Sequence, residues 1–140
     1  MFRRFRSAWI VPLCLAGLAC GAPQVVLDRS RSWVESDKAA VKIDISGSWE
    51  SVQSYFAGGW GPGQFQQTDG KVIGSLGPYN VEGRVVGNKV RMMIYSGRQV
   101  YTAELALKGD TLSGIAYLNT LPDDPNAYKA PVELRRVKNP

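Results

Sequence analysis

Cys14 and Cys20 are the two cysteines of the chain, and both lie in the stretch PLCLAGLACGAP. Thiols so close together could form a disulfide, act as a redox pair, or have separate fates. Elsewhere the residues that do chemistry are sparse. There is no histidine, which removes the commonest general base, the usual catalytic triads and the commonest zinc ligand. Asp123, Asp124 and Asn126 supply oxygen atoms in one short stretch. Their spacing is not that of an EF-hand, and such residues are what turns ordinarily use. Glu50 and Glu104 are the mid-strand acids of interest, but both fall on the predicted outer face, where they read as solvated charges rather than an acid–base pair. The glycine-rich run Ala57-Gly58-Gly59-Trp60-Gly61-Pro62-Gly63 lacks the lysine and following helix of a phosphate cradle. It reads as a loop that either tucks Trp60 down as a plug or offers it to a ligand or partner. No catalytic residue, metal or cofactor is expected.

The position of the cysteines decides between their fates. Arg3, Arg4 and Arg6 precede an apolar stretch from Ala8 to Leu18 that ends in small residues, the layout of an export signal. The stretch is well short of the ~20 residues needed to cross a bilayer as a helix. A cleaved leader of residues 1–19 would discard Cys14, so a Cys14–Cys20 disulfide has no place in the mature chain. A simple secreted protein with one remaining thiol is the plainer alternative.

Gly17-Leu18-Ala19-Cys20 resembles the lipobox of bacterial lipoproteins, although that family favours Leu where this chain has Gly17. The resemblance implies cleavage just before Cys20, a diacylglycerol on its thiol and an acyl group on its new amine. Several chains anchor far more firmly than one, at ~0.8 kcal/mol per buried methylene. Gly21, rather than Asp, after the cysteine resembles the pattern sent to the outer membrane in Gram-negative bacteria. The implied location is the cell envelope, lipid-anchored at Cys20, facing the periplasm.

The net charge of +5 comes from 17 basic and 12 acidic side chains. Three of the basic ones lie in the leader, which leaves 14 against 12. Acidic and basic residues alternate with no long like-charge run, so nucleic acid is not an expected partner. Residues 20–41 read as the lipidated N-terminus and a tether with a short helix at its end. Val26 with Trp33, and Leu27 with Val34, stand seven apart, as one face of a helix allows.

From Lys42 the pattern changes to short apolar/polar alternations closed by Gly, Asn, Asp or Pro. Eight strands are predicted, at 42–55, 63–68, 71–76, 80–86, 89–95, 99–107, 111–118 and 129–137. Tight turns at Asp69-Gly70, Gly77-Pro78, Gly87-Asn88, Ser96-Gly97 and Gly109-Asp110 make most neighbours antiparallel. Glycine recurs two residues after an aliphatic one, at Gly47, Gly74, Gly83 and Gly114, which suggests tight coiling. The fold class is therefore all-β, an up-and-down meander of about eight strands in residues 42–138 closed into a small barrel, with a two-sheet sandwich as runner-up.

Parity points Ile43, Ile45, Trp49, Val72, Leu76, Val81, Val85, Val90, Met92, Ile94, Tyr101, Leu105, Leu107, Leu112, Leu118, Val132 and Leu134 inward. So many large aliphatics on short strands argue for a mostly filled interior. Parity points Ile73, Val86, Met93, Tyr95, Val100, Ile115 and Tyr117 outward. If these join, they form a patch large enough for an envelope partner or a homodimer.

Gly47-Ser48-Trp49 on the first strand and Leu134-Arg135-Arg136 on the last resemble the calycin-type barrels, the lipocalins and avidin-like proteins. In that family a basic side chain from the last strand covers the first-strand tryptophan. Parity with Val132 and Leu134 selects Arg136, and Gly47, Trp49 and Arg136 would close one barrel end. Unlike avidin-like proteins, this chain has no tryptophan after Trp60, so the resemblance implies the barrel and not a biotin site. It is also similar to the small exported bacterial lipoproteins with lipocalin-like domains. The functional expectation is a non-catalytic anchored barrel that binds a small apolar ligand or an envelope partner through Trp60, Tyr95 and Tyr117. The alternatives are a structural or assembly accessory acting only through its outer face, and a hydrolase.

Overall fold

The computed structural model describes residues 21–54, 60–97 and 99–138. The leader, Cys20 and residues 55–59 of the glycine-rich loop lie outside the described residues. One helix precedes eight strands: α1 (Gly21–Glu35), β1 (Gly47–Ser54), β2 (Pro62–Thr68), β3 (Lys71–Leu76), β4 (Tyr79–Val86), β5 (Lys89–Ser96), β6 (Gln99–Lys108), β7 (Thr111–Leu118) and β8 (Lys129–Arg136). Each strand pairs antiparallel with the next, and β1 pairs with β8, so the sheet closes into an eight-stranded barrel. The meander and its closure are those expected of a lipocalin-like barrel, and the sandwich is excluded.

Alternation drives the strands, and their inner faces form one core. Ile45, Trp49, Phe65, Leu76, Met92, Ile94, Leu105, Leu112 and Leu134 are fully buried within it. The recurring strand glycines have a steric reason. A Cβ on Gly74 would overlap the carbonyl oxygen of Gln64, and one on Gly114 would overlap that of Glu104. Neighbouring strands come too close there for any side chain, as strong coiling in a narrow barrel requires.

Two boundaries differ from expectation. The first strand begins at Gly47, not at residue 42. Residues 42–46 keep a period-2 pattern, but their backbone is held otherwise. The Ile45 amide donates to the Gln67 side chain at 2.9 Å, and Gln67 Nε2 donates to the Ile43 carbonyl at 2.8 Å. Lys42 and Ala40 exchange bonds with Gly87 in the β4–β5 turn. The segment therefore crosses under the barrel as a floor, with Ile45 buried.

The second difference is in residues 21–35, where a short helix at the end of a tether was expected. The helix fills the segment from its first described residue and lies against the outside of the barrel. Val26, Ser30, Trp33 and Val34 form the stripe that faces the wall. Val34 packs with Met93 and Val100, all three essentially inaccessible, with Val26, Leu27, Trp33 and Tyr95 around them. β5 and β6 are consequently buried on both faces where the helix crosses them.

Candidate functional site

The barrel has two ends. The floor end holds the start of β1, the end of β8 and the turns at 69–70, 87–88 and 109–110. The loop end holds Trp60, the turn at 77–78, Gly97 after β5, and the long 119–128 connection.

At the floor end, Gly47 adopts φ +120°, which turns the chain so that Trp49 enters the core. Trp49 is fully buried, and its indole N–H donates to the Ile45 carbonyl at 2.9 Å. Trp49 and Arg136 are register partners across β1 and β8. The guanidinium carbon of Arg136 lies 4.5 Å from the centre of the Trp49 ring. Arg136 also donates to the Ser46 carbonyl at 2.7 Å and the Asp44 carbonyl at 2.9 Å. One side chain thus covers the indole and bonds the chain that crosses the floor. The Asp44 carboxyl is held below its usual range, first by the Ser46 amide that donates to it.

At the loop end, Trp60 is 2% exposed. Its ring centre lies 4.9 Å from that of Tyr101 and 5.7 Å from that of Tyr79, and the two tyrosines are 5.7 Å apart. Three aromatic rings therefore close this end, and Trp60 takes the plug position. The next turn is shaped to it: Gly77 has φ +57°, and a Cβ there would overlap the Trp60 carbonyl oxygen. Burial, then the adjoining Tyr79 phenol, push the Tyr101 hydroxyl up to about 12. Tyr101 was expected inside the barrel. Tyr79, at the very start of its strand, carries no sequence signal for this role beyond being aromatic beside a turn.

The outer wall divides into two parts. One lies under α1. Arg84 donates to the Glu35 carboxylate at 2.6 and 2.8 Å, and Arg31 donates to Glu82 at 2.9 Å. The Arg31 bond holds the Glu82 carboxyl low, against opposing desolvation. Arg91 grips the helix C-terminus: it sits 5.0 Å over the Trp33 ring and donates to the Trp33 carbonyl and the Ser36 hydroxyl. A cation at that position also suits the helix dipole. Tyr95 is half-buried here, with its hydroxyl hydrogen-bonded to Glu82.

The other part is open. A shallow hollow of about 360 Å³ lies over β5–β7, between Lys89, Glu104, Ser113, Ile115, Tyr117 and Pro122. Ile115 is 43% exposed on it, while Ile73 is 48% exposed across the barrel. The expected outer patch is therefore not continuous. Met93, Val100 and part of Tyr95 are taken by the chain's own helix, so the outward residues do not all join.

Trp60, Tyr95 and Tyr117 are accordingly not brought together. Trp60 is inside the loop end, Tyr95 is beside the helix, and Tyr117 is on the opposite side of the covered strip. The acids seen in the sequence are not gathered either. Glu104 pairs with Arg91 at 3.3 Å and Lys89 at 3.5 Å on the outer surface. Asp124 accepts from the Thr120 hydroxyl and the Asn126 amide within its own loop. Among the described residues no cluster of His, Cys, Asp or Glu could hold a metal ion, and no helix is long and apolar enough to cross a membrane.

No family model, curated protein or solved structure matches this chain. Its barrel stands on its own geometry, and the lipobox-like segment stands on its residues.

Proposed function

We propose that the chain is a non-catalytic, lipid-anchored protein of the bacterial cell envelope that works through the outside of its barrel. The filled interior carries this reading. Trp49, Phe65, Met92, Leu105 and Leu112 occupy the core, Trp60 stops one end and Ile45 the other. An eight-stranded barrel is narrow enough for side chains alone to fill it, so a guest would have to displace a well-packed core. The anchor rests on the basic head, the apolar run and Gly17-Leu18-Ala19-Cys20. The non-catalytic reading rests on the missing histidine and on carboxylates engaged in surface ion pairs. It favours a structural or assembly accessory over a carrier of small molecules.

The second reading is a small apolar ligand at the loop end, and the aromatic cluster of Trp60, Tyr79 and Tyr101 favours it. Titration of the protein with a long-chain fatty acid, followed by tryptophan fluorescence, separates the two. A filled barrel gives no saturable change. A saturable shift that is lost in Trp60→Ala would transfer the assignment to the loop end. Radiolabelled palmitate is expected in the wild-type protein and not in Cys20→Ala; equal labelling of both would refute the anchor.

A further inference from the structure

α1 is described from Gly21, the residue after Cys20, so the structure bears on how an anchored barrel would sit. The direction of the helix is fixed at both ends. Val26, Arg29 and Ser30 lie beside Asn119, Thr120 and Leu121, at the loop end. Trp33 and Glu35 are held by Arg91 and Arg84, and the chain then reaches Gly87 in a floor-end turn. The N-terminus of the helix therefore points past the loop end. From Ser30 back to Gly21 the helix rises roughly 13 Å. Val25, in this stretch, is 55% exposed.

The helix is also firmly held. Val34, Met93 and Val100 are buried between helix and wall, and Arg31, Arg84 and Arg91 bond across the same seam. Unbroken helix joins Gly21 to the docked part that starts at Val26. We propose that α1 is a rigid strut that sets the loop end of the barrel toward the phospholipid surface and the floor end, with Arg136, away from it. The proposal rests on acylation of Cys20. The occupant facing the loop end is the bilayer itself, because Gly21, the residue bonded to the acylated Cys20, is at the end of the helix that points that way. Tyr128, in the 119–128 connection of that end, is 58% exposed, and an aromatic ring with a polar tip is what interfacial positions favour.

The orientation can be read with single-cysteine labels, since acylated Cys20 does not react and Cys14 leaves with the leader. The full chain, produced with its leader, is reconstituted into vesicles of phosphatidylethanolamine and phosphatidylglycerol. Asp123→Cys, at the loop end, and Asn88→Cys, at the floor end, each carry an environment-sensitive fluorophore; both positions are exposed. Lipid brominated along its acyl chains then acts as quencher. Strong quenching of the Asp123 label with little at Asn88 supports the strut. Equal or reversed quenching, in protein that still floats with vesicles and carries acyl chains, overturns the strut and leaves the anchor intact. Protein that neither floats nor carries acyl chains at Cys20 overturns the anchor and the strut together. In Val34→Asp, which undocks the helix, the difference between the two labels should collapse while flotation persists. A difference that survives undocking also overturns the strut.

Discussion

Arg136 illustrates how much one side chain can hold. It covers Trp49 and donates to two carbonyls of the segment crossing the floor. A cation–π contact contributes roughly 1 kcal/mol and a charged hydrogen bond roughly 1.5–3. Arg136→Met should therefore cost about 2–4 kcal/mol in urea unfolding. Arg136→Lys should recover only part, because an ammonium cannot reach both carbonyls in the guanidinium's plane. Gly77, at the loop end, and Gly87, at the floor end, make a controlled pair. Both have positive φ, but a Cβ at Gly77 overlaps the Trp60 carbonyl, while at Gly87 it meets nothing within 4 Å. Gly87→Ala should cost about 1 kcal/mol for the backbone alone. Gly77→Ala should cost clearly more and red-shift the tryptophan emission as Trp60 is pushed out. Tyr101 gives a pH signature. Its phenol ionises near 10.0 when unfolded and at about 12 in the barrel. The unfolded chain thus loses its proton first, and stability should fall between those values, by on the order of 2–3 kcal/mol. Tyr101→Phe should flatten that part of a stability–pH curve.

At the scale of elements, the helix and the wall it covers depend on each other. Burying an aliphatic side chain contributes about 1.5–3 kcal/mol, so Val34, Met93 and Val100 outweigh the exposed ion pairs at the seam, each worth about 0–1. Val34→Asp should release α1, seen as lost helical circular dichroism and faster amide exchange in β5 and β6, with β1–β8 pairing intact. Much of this level was legible in the residues. Turn pairs such as Gly87-Asn88 and Gly109-Asp110, between alternating runs, set the strands almost to the residue. The floor was not legible, because Ile43 and Ile45 alternate like a strand while their hydrogen bonds go to Gln67. Nor was the docking. The seven-residue spacings of α1 and the outward Met93 and Val100 were both visible, but neither indicates that one covers the other. Trp60 was readable as a plug, whereas the part played by Tyr79 needed the closed barrel to bring it alongside.

For the whole molecule, removal of residues 21–36 would uncover Met93, Val100 and Tyr95 as a contiguous apolar strip. The trimmed barrel should therefore sediment as dimers or larger species at concentrations where residues 21–140 are monomeric. The closure of β1 on β8 has a further effect, in time rather than in energy. Trp49 pairs with Arg136, so the seam joins residues from opposite ends of the sheet. Such long-range pairing is slow to form, because a large loop must close before any contact rewards it. A chain still emerging from a ribosome lacks its eighth strand and cannot shut. Arg136 sits on β8, the last strand of the meander, so the barrel stays open until that strand has arrived, and the strand that arrives last is the one that locks it.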